Sequence, residues 1–221
     1  MSQVFPKSAN AWSKASIIAI VFVLLGLGLV VLTIQRSDFV TSANRFVEQP
    51  VQFSHQHHAG GIGIECRYCH TSVEVSPSAG IPPTKTCINC HSQIWNTSPY
   101  LEPVRASFRD DTALNWTRVH DLPDFAYFNH SIHVKKGVSC VSCHGRIDEM
   151  PLVYKEKSLT MQWCIDCHRK PESAIRPKEY VYQLDWKPEG KQTQEQIGKE
   201  LLEKYHILSS FQLTNCSTCH H

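Results

Sequence analysis

The sequence predicts a mainly irregular chain with short α-helices, preceded by one membrane-spanning helix near the N-terminus. Three observations carry that expectation. The stretch from Ala15 to Ile34 holds twenty residues without a charge and is dominated by Ile, Val and Leu. All ten cysteines fall into five copies of Cys-x-x-Cys-His. The connections between copies are long and rich in Pro, as in Ser76-Pro77-Ser78-Ala79-Gly80-Ile81-Pro82-Pro83.

The apolar stretch comes first. Its twenty residues, bounded by Lys14 and Arg36, rise about 1.5 Å each and so cover a hydrocarbon core ~30 Å thick. A cleaved export signal would have a shorter apolar run of roughly 7–15 residues and a small-residue cleavage site. Here the run ends Leu32-Thr33-Ile34-Gln35-Arg36, which offers no such site. A retained anchor at 15–34 is expected, after an N-terminal segment 1–14 and before a linker 35–50. Gly26 and Gly28 could admit a neighbouring helix, but their spacing is not GxxxG. Lys7 and Lys14 on one side are matched by Arg36 and Arg45 on the other, so the flanks do not set orientation.

The five cysteine motifs are Cys66-Arg67-Tyr68-Cys69-His70, Cys87-Ile88-Asn89-Cys90-His91, Cys140-Val141-Ser142-Cys143-His144, Cys164-Ile165-Asp166-Cys167-His168 and Cys216-Ser217-Thr218-Cys219-His220. This is the attachment signature of c-type haem: two thiols form thioethers with the vinyl groups, and the following His supplies the proximal nitrogen. Zinc is the serious competitor, because gaps of 17 residues between Cys69 and Cys87 and 20 between Cys143 and Cys164 suit paired CxxC sites. Zinc does not explain the His after every pair. With 13 His in 221 residues, five such coincidences have a chance of about one in a million. A fifth CxxC would also lack a partner pair, and CxxC disulfides close loops too small to stabilise much. Five covalently bound haems c are therefore expected. Haem is ligated to exported thiols, so the domain 51–221 should face the periplasm and the segment 1–14 the cytoplasm.

The spaces between successive motifs are 16, 48, 19 and 47 residues, which gives a pair, a pair and a single. The expected subdivisions are a two-haem module over 51–115, a second over 116–175 and a single-haem segment over 176–221. Each pair follows the same phrase, Phe53-Ser54-His55-Gln56-His57-His58 or Phe128-Asn129-His130-Ser131-Ile132-His133, both Phe-x-His-x-x-His. The repetition indicates an internal duplication. Two His at i and i+3 on a helical turn project from nearly one face and can reach two different irons. Eight His remain beyond the attachment motifs. His55, His58, His130 and His133 would supply four distal ligands, and His120, in Val119-His120-Asp121-Leu122-Pro123-Asp124, the fifth. His206 is a reserve, His57 and His221 read as ordinary solvated side chains, and Met161 or Met150 could give one His/Met site of higher potential.

About 34 residues per haem over 51–221 is too little protein for a separate core, so the porphyrins would form it. One better helix is expected over 193–205, where Thr193 and Gln196 fit a capping box and Ile197, Leu201 and Tyr205 recur at helical spacing. Trp95, Trp116, Trp163 and Trp186 read as packing beside porphyrins. A net charge of +2 names no partner, and no phosphate-binding Gly loop, nucleophile motif or basic tract argues for nucleotide or nucleic-acid binding.

Phe-x-His-x-x-His before paired attachment sites resembles small multihaem cytochromes c of the class III and c7 type. That resemblance implies that the first His of each phrase binds the haem attached next in sequence: His55 with Cys66 and Cys69, His130 with Cys140 and Cys143. Over its whole length the chain resembles the pentahaem cytochrome c subunit of alternative complex III. The shared features are the N-terminal anchor, Phe53-Ser54-His55, Val119-His120-Asp121-Leu122-Pro123, Tyr127-Phe128-Asn129-His130-Ser131-Ile132-His133, Met161-Gln162-Trp163-Cys164 and a last haem at the C-terminus. This implies an electron-transfer subunit without a catalytic site of its own. Its partners would be the membrane subunits of a quinol-oxidising complex, an iron–sulfur subunit and a monohaem cytochrome c.

A stand-alone quinol dehydrogenase of the NapC or TorC type shares the anchor and the haem number. Those proteins place Met two residues after the first haem-binding His, where this chain has Ser72. A multihaem reductase needs an open iron or a proximal Lys, and no Cys-x-x-Cys-Lys is present.

Overall fold

The computed structural model describes residues 4–220 and divides into two compact units, the first ending at Ser42 and the second starting at Ala43. His221, expected to be a solvated side chain, lies outside the described residues.

The first unit is dominated by α1, Ala9–Gln35, which contains the whole charge-free stretch and extends beyond it at both ends. No residue of α1 is buried, although an 18-residue window reaches a mean hydropathy of 3.2. A helix this apolar in water would cover its faces, whereas ~40 Å of bare apolar helix suits a bilayer. It fits a single-pass membrane anchor. A short helix α2, Asp38–Thr41, follows and ends where Ser42 turns to φ +56°.

In the second unit no strand forms among the described residues, and four isolated β-bridges join distant segments instead. Two of them, Ala43 with Lys155 and Phe46 with Tyr154, take up part of the expected linker 35–50. Ala43 is 3% exposed, and Asn44 donates its amide to the Lys155 carbonyl at 2.7 Å. The chain is thus packed on this unit from residue 43. Apolar patterning gave no hint of this, because the attachment is made by backbone groups.

The helices here are short. They are α3 (Cys66–Cys69), α4 (Thr84–His91), α5 (Glu102–Arg109), α6 (His130–Lys135), α7 (Cys140–His144), α8 (Met161–Arg169), α9 (Gln194–Lys204), α10 (Ser210–Leu213) and α11 (Cys216–Cys219). Pro82, Pro83, Pro99, Pro103 and Pro171 precede or open helical turns, where a missing amide costs least. The expected helix over 193–205 is α9, with both halves of its capping box formed: Gln196 donates its amide to the Thr193 hydroxyl, and Thr193 donates its amide to the Gln196 side chain. Ile175, Leu201 and Tyr205 make a small buried cluster, flanked by Val138, Ile197, Leu202 and Ile207. Gly198 lets α9 lie directly on the turn Pro171–Ser173, since a Cβ there would stand 2.0 Å from the Glu172 carbonyl oxygen. Apart from such clusters the chain buries little apolar surface of its own.

Candidate haem-binding array

Each cysteine pair sits on a helical turn, α3, α4, α7, α8 or α11, so that both thiols, three residues apart, project from one side. The His of each motif follows directly, as the residue closing α3 and α11 or within the last turn of α4, α7 and α8. None of the cysteines among the described residues is in a disulfide. Nor do three His, Cys, Asp or Glu side chains converge anywhere in those residues, as a zinc site would require.

The imidazoles come in pairs. Ring centroids lie 6.4 Å apart for His55 and His70, 6.1 Å for His58 and His91, 6.3 Å for His130 and His144, and 6.2 Å for His133 and His168. A metal bound to two imidazole nitrogens at ~2 Å each would put the ring centres ~6.3 Å apart. The four separations therefore suit an iron between each pair, and the first His of each phrase faces the attachment motif next in sequence. The second His of each phrase faces the motif after that.

In six of these eight rings the other nitrogen is also held by a carbonyl. Nδ1 of His70 donates to the Gly80 carbonyl at 2.7 Å, and Nδ1 of His91 to that of Ile94 at 3.0 Å. His58 donates to Ser54 at 2.8 Å, His133 to Asn129 at 2.7 Å and His168 to Leu213 at 2.9 Å. His130 donates to Pro77 at 2.8 Å, which ties the second phrase to a loop of the first module. His220 donates to Phe125 at 3.1 Å, beside the bridge between Ala126 and His220. A carbonyl only accepts, so each of these rings carries its proton on Nδ1 and leaves the Nε2 lone pair for a metal. Nδ1 of His55 and of His144 is buried without a partner.

Burial favours the neutral form of four of the paired rings, His55, His58, His133 and His144. It lowers His55 to about 4, with His70 and His58 adding to the effect, and His144 to about 3, with His120 and His130 adding. His58 and His133 are lowered chiefly by burial as well. A neutral imidazole is the form that binds metal.

Phe53 and Phe128 hold the two phrases in the same way. Phe53 stands edge-on to His55 at 4.9 Å and 88° and stacks on His58 at 4.4 Å and 25°; Phe128 does so to His130 at 4.7 Å and 89° and to His133 at 4.6 Å and 25°. The agreement between modules is the geometric counterpart of the sequence duplication. The Phe was visible in the motif, but nothing in the sequence said that one ring braces both imidazoles.

His120 lies elsewhere than across from His220. Its ring meets His144 at 4.2 Å and 73°, with Nε2 buried and unpartnered, and burial followed by the Lys155 charge lowers it to about 4. The ring neighbour of His220 among the described residues is Phe125, at 5.9 Å. His57 stacks near Trp95 at 6.4 Å, His206 is exposed at the end of α9, Met161 is exposed and Met150 is buried at 3%.

The thiols of neighbouring motifs also feel one another, most closely at Cys66 and Cys140. Burial, and then Cys87 close by, raises Cys69. The Cys140 thiol is raised by its hydrogen bond with Cys66 and by burial. Burial pushes Cys143 up to about 12, with Cys167 and Cys164 adjacent, and Cys164 is raised by burial and then by Cys219. These shifts belong to the free thiols, since a thioether does not titrate. The Cys66 and Cys140 thiols lie within hydrogen-bonding reach of each other, and Cys87 with Cys69 and Cys164 with Cys219 lie within electrostatic reach.

Residues 126–221, which contain the second phrase and three of the five motifs, match the family described as cytochrome c7 and related cytochrome c. Over that stretch the chain is c7-like, in keeping with its helical and irregular fold. A cytochrome of this kind carries covalently bound haem c and transfers electrons. It is 29% identical over 142 residues to the multiheme cytochrome c subunit of menaquinone reductase from Nitratidesulfovibrio vulgaris, covering 55% of this chain and 68% of that one. It is also 31% identical over 146 residues to cytochrome c-552 of Porphyromonas gingivalis, covering 53% of this chain and 29% of that one.

Proposed function

We propose that this cytochrome is the electron-relay subunit of a membrane quinone-reactive complex of the alternative complex III type, with five haems c and no catalytic site of its own. The haems would be attached at Cys66 and Cys69, Cys87 and Cys90, Cys140 and Cys143, Cys164 and Cys167, and Cys216 and Cys219. Proximal nitrogens would come from His70, His91, His144, His168 and His220, and distal ones from His55, His58, His130 and His133. His120 remains the proposed distal ligand of the last haem, which requires it to leave His144; its unpartnered Nε2 is in keeping with such a move.

The observation that carries the reading is the set of four imidazole pairs at metal-bridging separation. Two strong protein ligands on an iron leave no position for substrate, which favours electron transfer over turnover. Bound in these positions, haems supply one-electron carriers. The chain's part is to hold neutral Nε2 atoms in place, through carbonyls that fix Nδ1–H and through the Phe53 and Phe128 braces. The electrostatic neighbours among the thiols favour a single line of sites, with the Cys87 motif at one end and the Cys216 motif at the other. The helix α1 supports a single-pass anchor in the cytoplasmic membrane, with the haem domain on the periplasmic side where haem is ligated. The named relative ties a similar chain to menaquinone chemistry. An iron–sulfur subunit and a monohaem cytochrome c are the partners proposed on either side of the relay.

Two measurements test this. The reduced full-length chain is expected to bind little carbon monoxide. Purified alone it should not oxidise quinol, whereas the complex purified from native membranes should. Quinol turnover by the isolated chain would favour a stand-alone dehydrogenase of the NapC type.

A further inference from the structure

One short loop holds rings from two different imidazole pairs. His70 donates Nδ1–H to the Gly80 carbonyl at 2.7 Å, and His130 donates Nδ1–H to the Pro77 carbonyl at 2.8 Å. His70 faces His55, whereas His130 faces His144. Three other rings use carbonyls of their own turn: His58 that of Ser54, His91 that of Ile94 and His133 that of Asn129. His130 instead reaches back 53 residues, to a loop that His70 already uses.

The loop 72–80 is braced from within. The Ser72 carbonyl accepts the amides of Val75 at 3.0 Å and Ser76 at 2.8 Å, and the Ser72 hydroxyl donates to the Ser78 carbonyl at 2.8 Å. Ser78 lies between the two acceptors, Pro77 and Gly80. Its amide donates to the Ser76 hydroxyl and its hydroxyl accepts the Gly80 amide, both at 3.3 Å. Pro77 has a fixed φ. Gly80 sits at φ +80° with no room for a Cβ, which would stand 2.8 Å from the Ser72 Oγ. The second phrase is seated on this loop through its backbone as well. The amides of His130 and Ser131 donate to the carbonyls of Pro77 at 3.1 Å and Ser76 at 3.3 Å. The two acceptor carbonyls therefore belong to one braced unit, and loosening its middle disturbs both.

We propose that the loop 72–80 is a shared positioning element: it sets the ligand strength of His70 and His130 together and so keeps two haems, at Cys66 and Cys69 and at Cys140 and Cys143, in step. The inference rests on the haem assignment under Proposed function. A carbonyl that accepts Nδ1–H makes the imidazole a more basic ligand. A more basic ligand favours ferric over ferrous iron, so the hydrogen bond lowers the potential. The Cys66 and Cys140 thiols lie within hydrogen-bonding reach, which makes these two sites neighbours where the modules meet. An electron step between neighbours of matched potential is close to isoenergetic in both directions. Loosening the loop weakens both hydrogen bonds, so both potentials rise while their difference changes little.

The test is a spectroelectrochemical titration of the full-length haem-loaded chain and its Ser72→Ala, Ser78→Ala and Ser72→Thr variants, with haem at each motif checked by the masses of haem peptides. Chains carrying Cys66→Ala/Cys69→Ala or Cys140→Ala/Cys143→Ala identify the two components. Ser72→Ala is expected to keep every haem of the wild type and to raise the reduction equilibrium constant of both components about threefold. That corresponds to about 28 mV for one electron, at 59 mV per tenfold. Ser78→Ala should act in the same direction, and Ser72→Thr, which keeps the hydroxyl, should titrate as the wild type does. Unchanged titrations in both alanine variants, a shift in one component alone, shifts of opposite sign, or loss of either haem in both variants would overturn the proposal. Wild-type protein with no haem at one of the two cysteine pairs would instead defeat the haem assignment itself, whatever the loop does.

Discussion

At the scale of single residues, ring orientation distinguishes sites that the sequence makes look alike. His55 and His70 are nearly parallel at 2°, whereas His58 and His91 are crossed at 70°. Parallel imidazoles on a low-spin ferric iron split its d orbitals strongly and give a rhombic paramagnetic resonance spectrum. Crossed rings bring two of those orbitals close together and give a single large-gmax feature. The haem at Cys87 and Cys90 is therefore expected to contribute such a feature, and His58→Ala should abolish it. The same variant should leave that iron high-spin and open to carbon monoxide while the other sites stay low-spin; an unchanged spectrum would show that His58 is not its ligand. The Cys and His proposed to hold haem are spelled out by the motif. The carbonyls of Ser54, Pro77, Gly80, Ile94, Phe125, Asn129 and Leu213 that orient the rings were not, since any residue has a carbonyl. The position of His120 ahead of the second phrase was legible, whereas the packing of its ring against His144 was not.

At the scale of elements, the short helices follow from the motifs. Helix α9 follows from its own pattern: Thr193 and Gln196 set the start, and Ile197, Leu201 and Tyr205 set the buried face. The role of Gly198 was not legible, because close approach depends on what lies opposite. Gly198→Ala gains at most about 1 kcal/mol in helix propensity, whereas forcing a methyl against the Glu172 backbone costs roughly 1–3 kcal/mol. The variant is accordingly expected to melt at a lower temperature by circular dichroism; a higher melting temperature would mean that α9 slides freely. The first His phrase departs from the regular turn that two His at i and i+3 suggest. Gln56–Gly61 forms a π-helical turn, while the second phrase forms the ordinary helix α6. Gly60 accounts for part of this, since a Cβ there would stand 2.2 Å from the Asp148 carbonyl oxygen, so the wider turn passes directly over that backbone.

At the scale of the whole molecule, the long apolar helix was legible from hydropathy alone, and the irregular domain from having more motifs than core. The order of the sites in space was not, because Cys66 meets Cys140 across more than seventy residues of intervening chain. That contact would make the Cys140 motif the junction between the two proposed modules. A Cys140→Ala/Cys143→Ala chain is thus expected to turn single-phase reduction in a stopped-flow experiment into two unequal phases, one for each isolated group of haems; a single fast phase would refute the linear order. All of this rests on every Cys-x-x-Cys-His site being occupied. The most direct test is the intact mass of the full-length chain purified from a host that matures c-type cytochromes. The account predicts the mass of the polypeptide plus five haems, and a mature chain carrying four or fewer would contradict it.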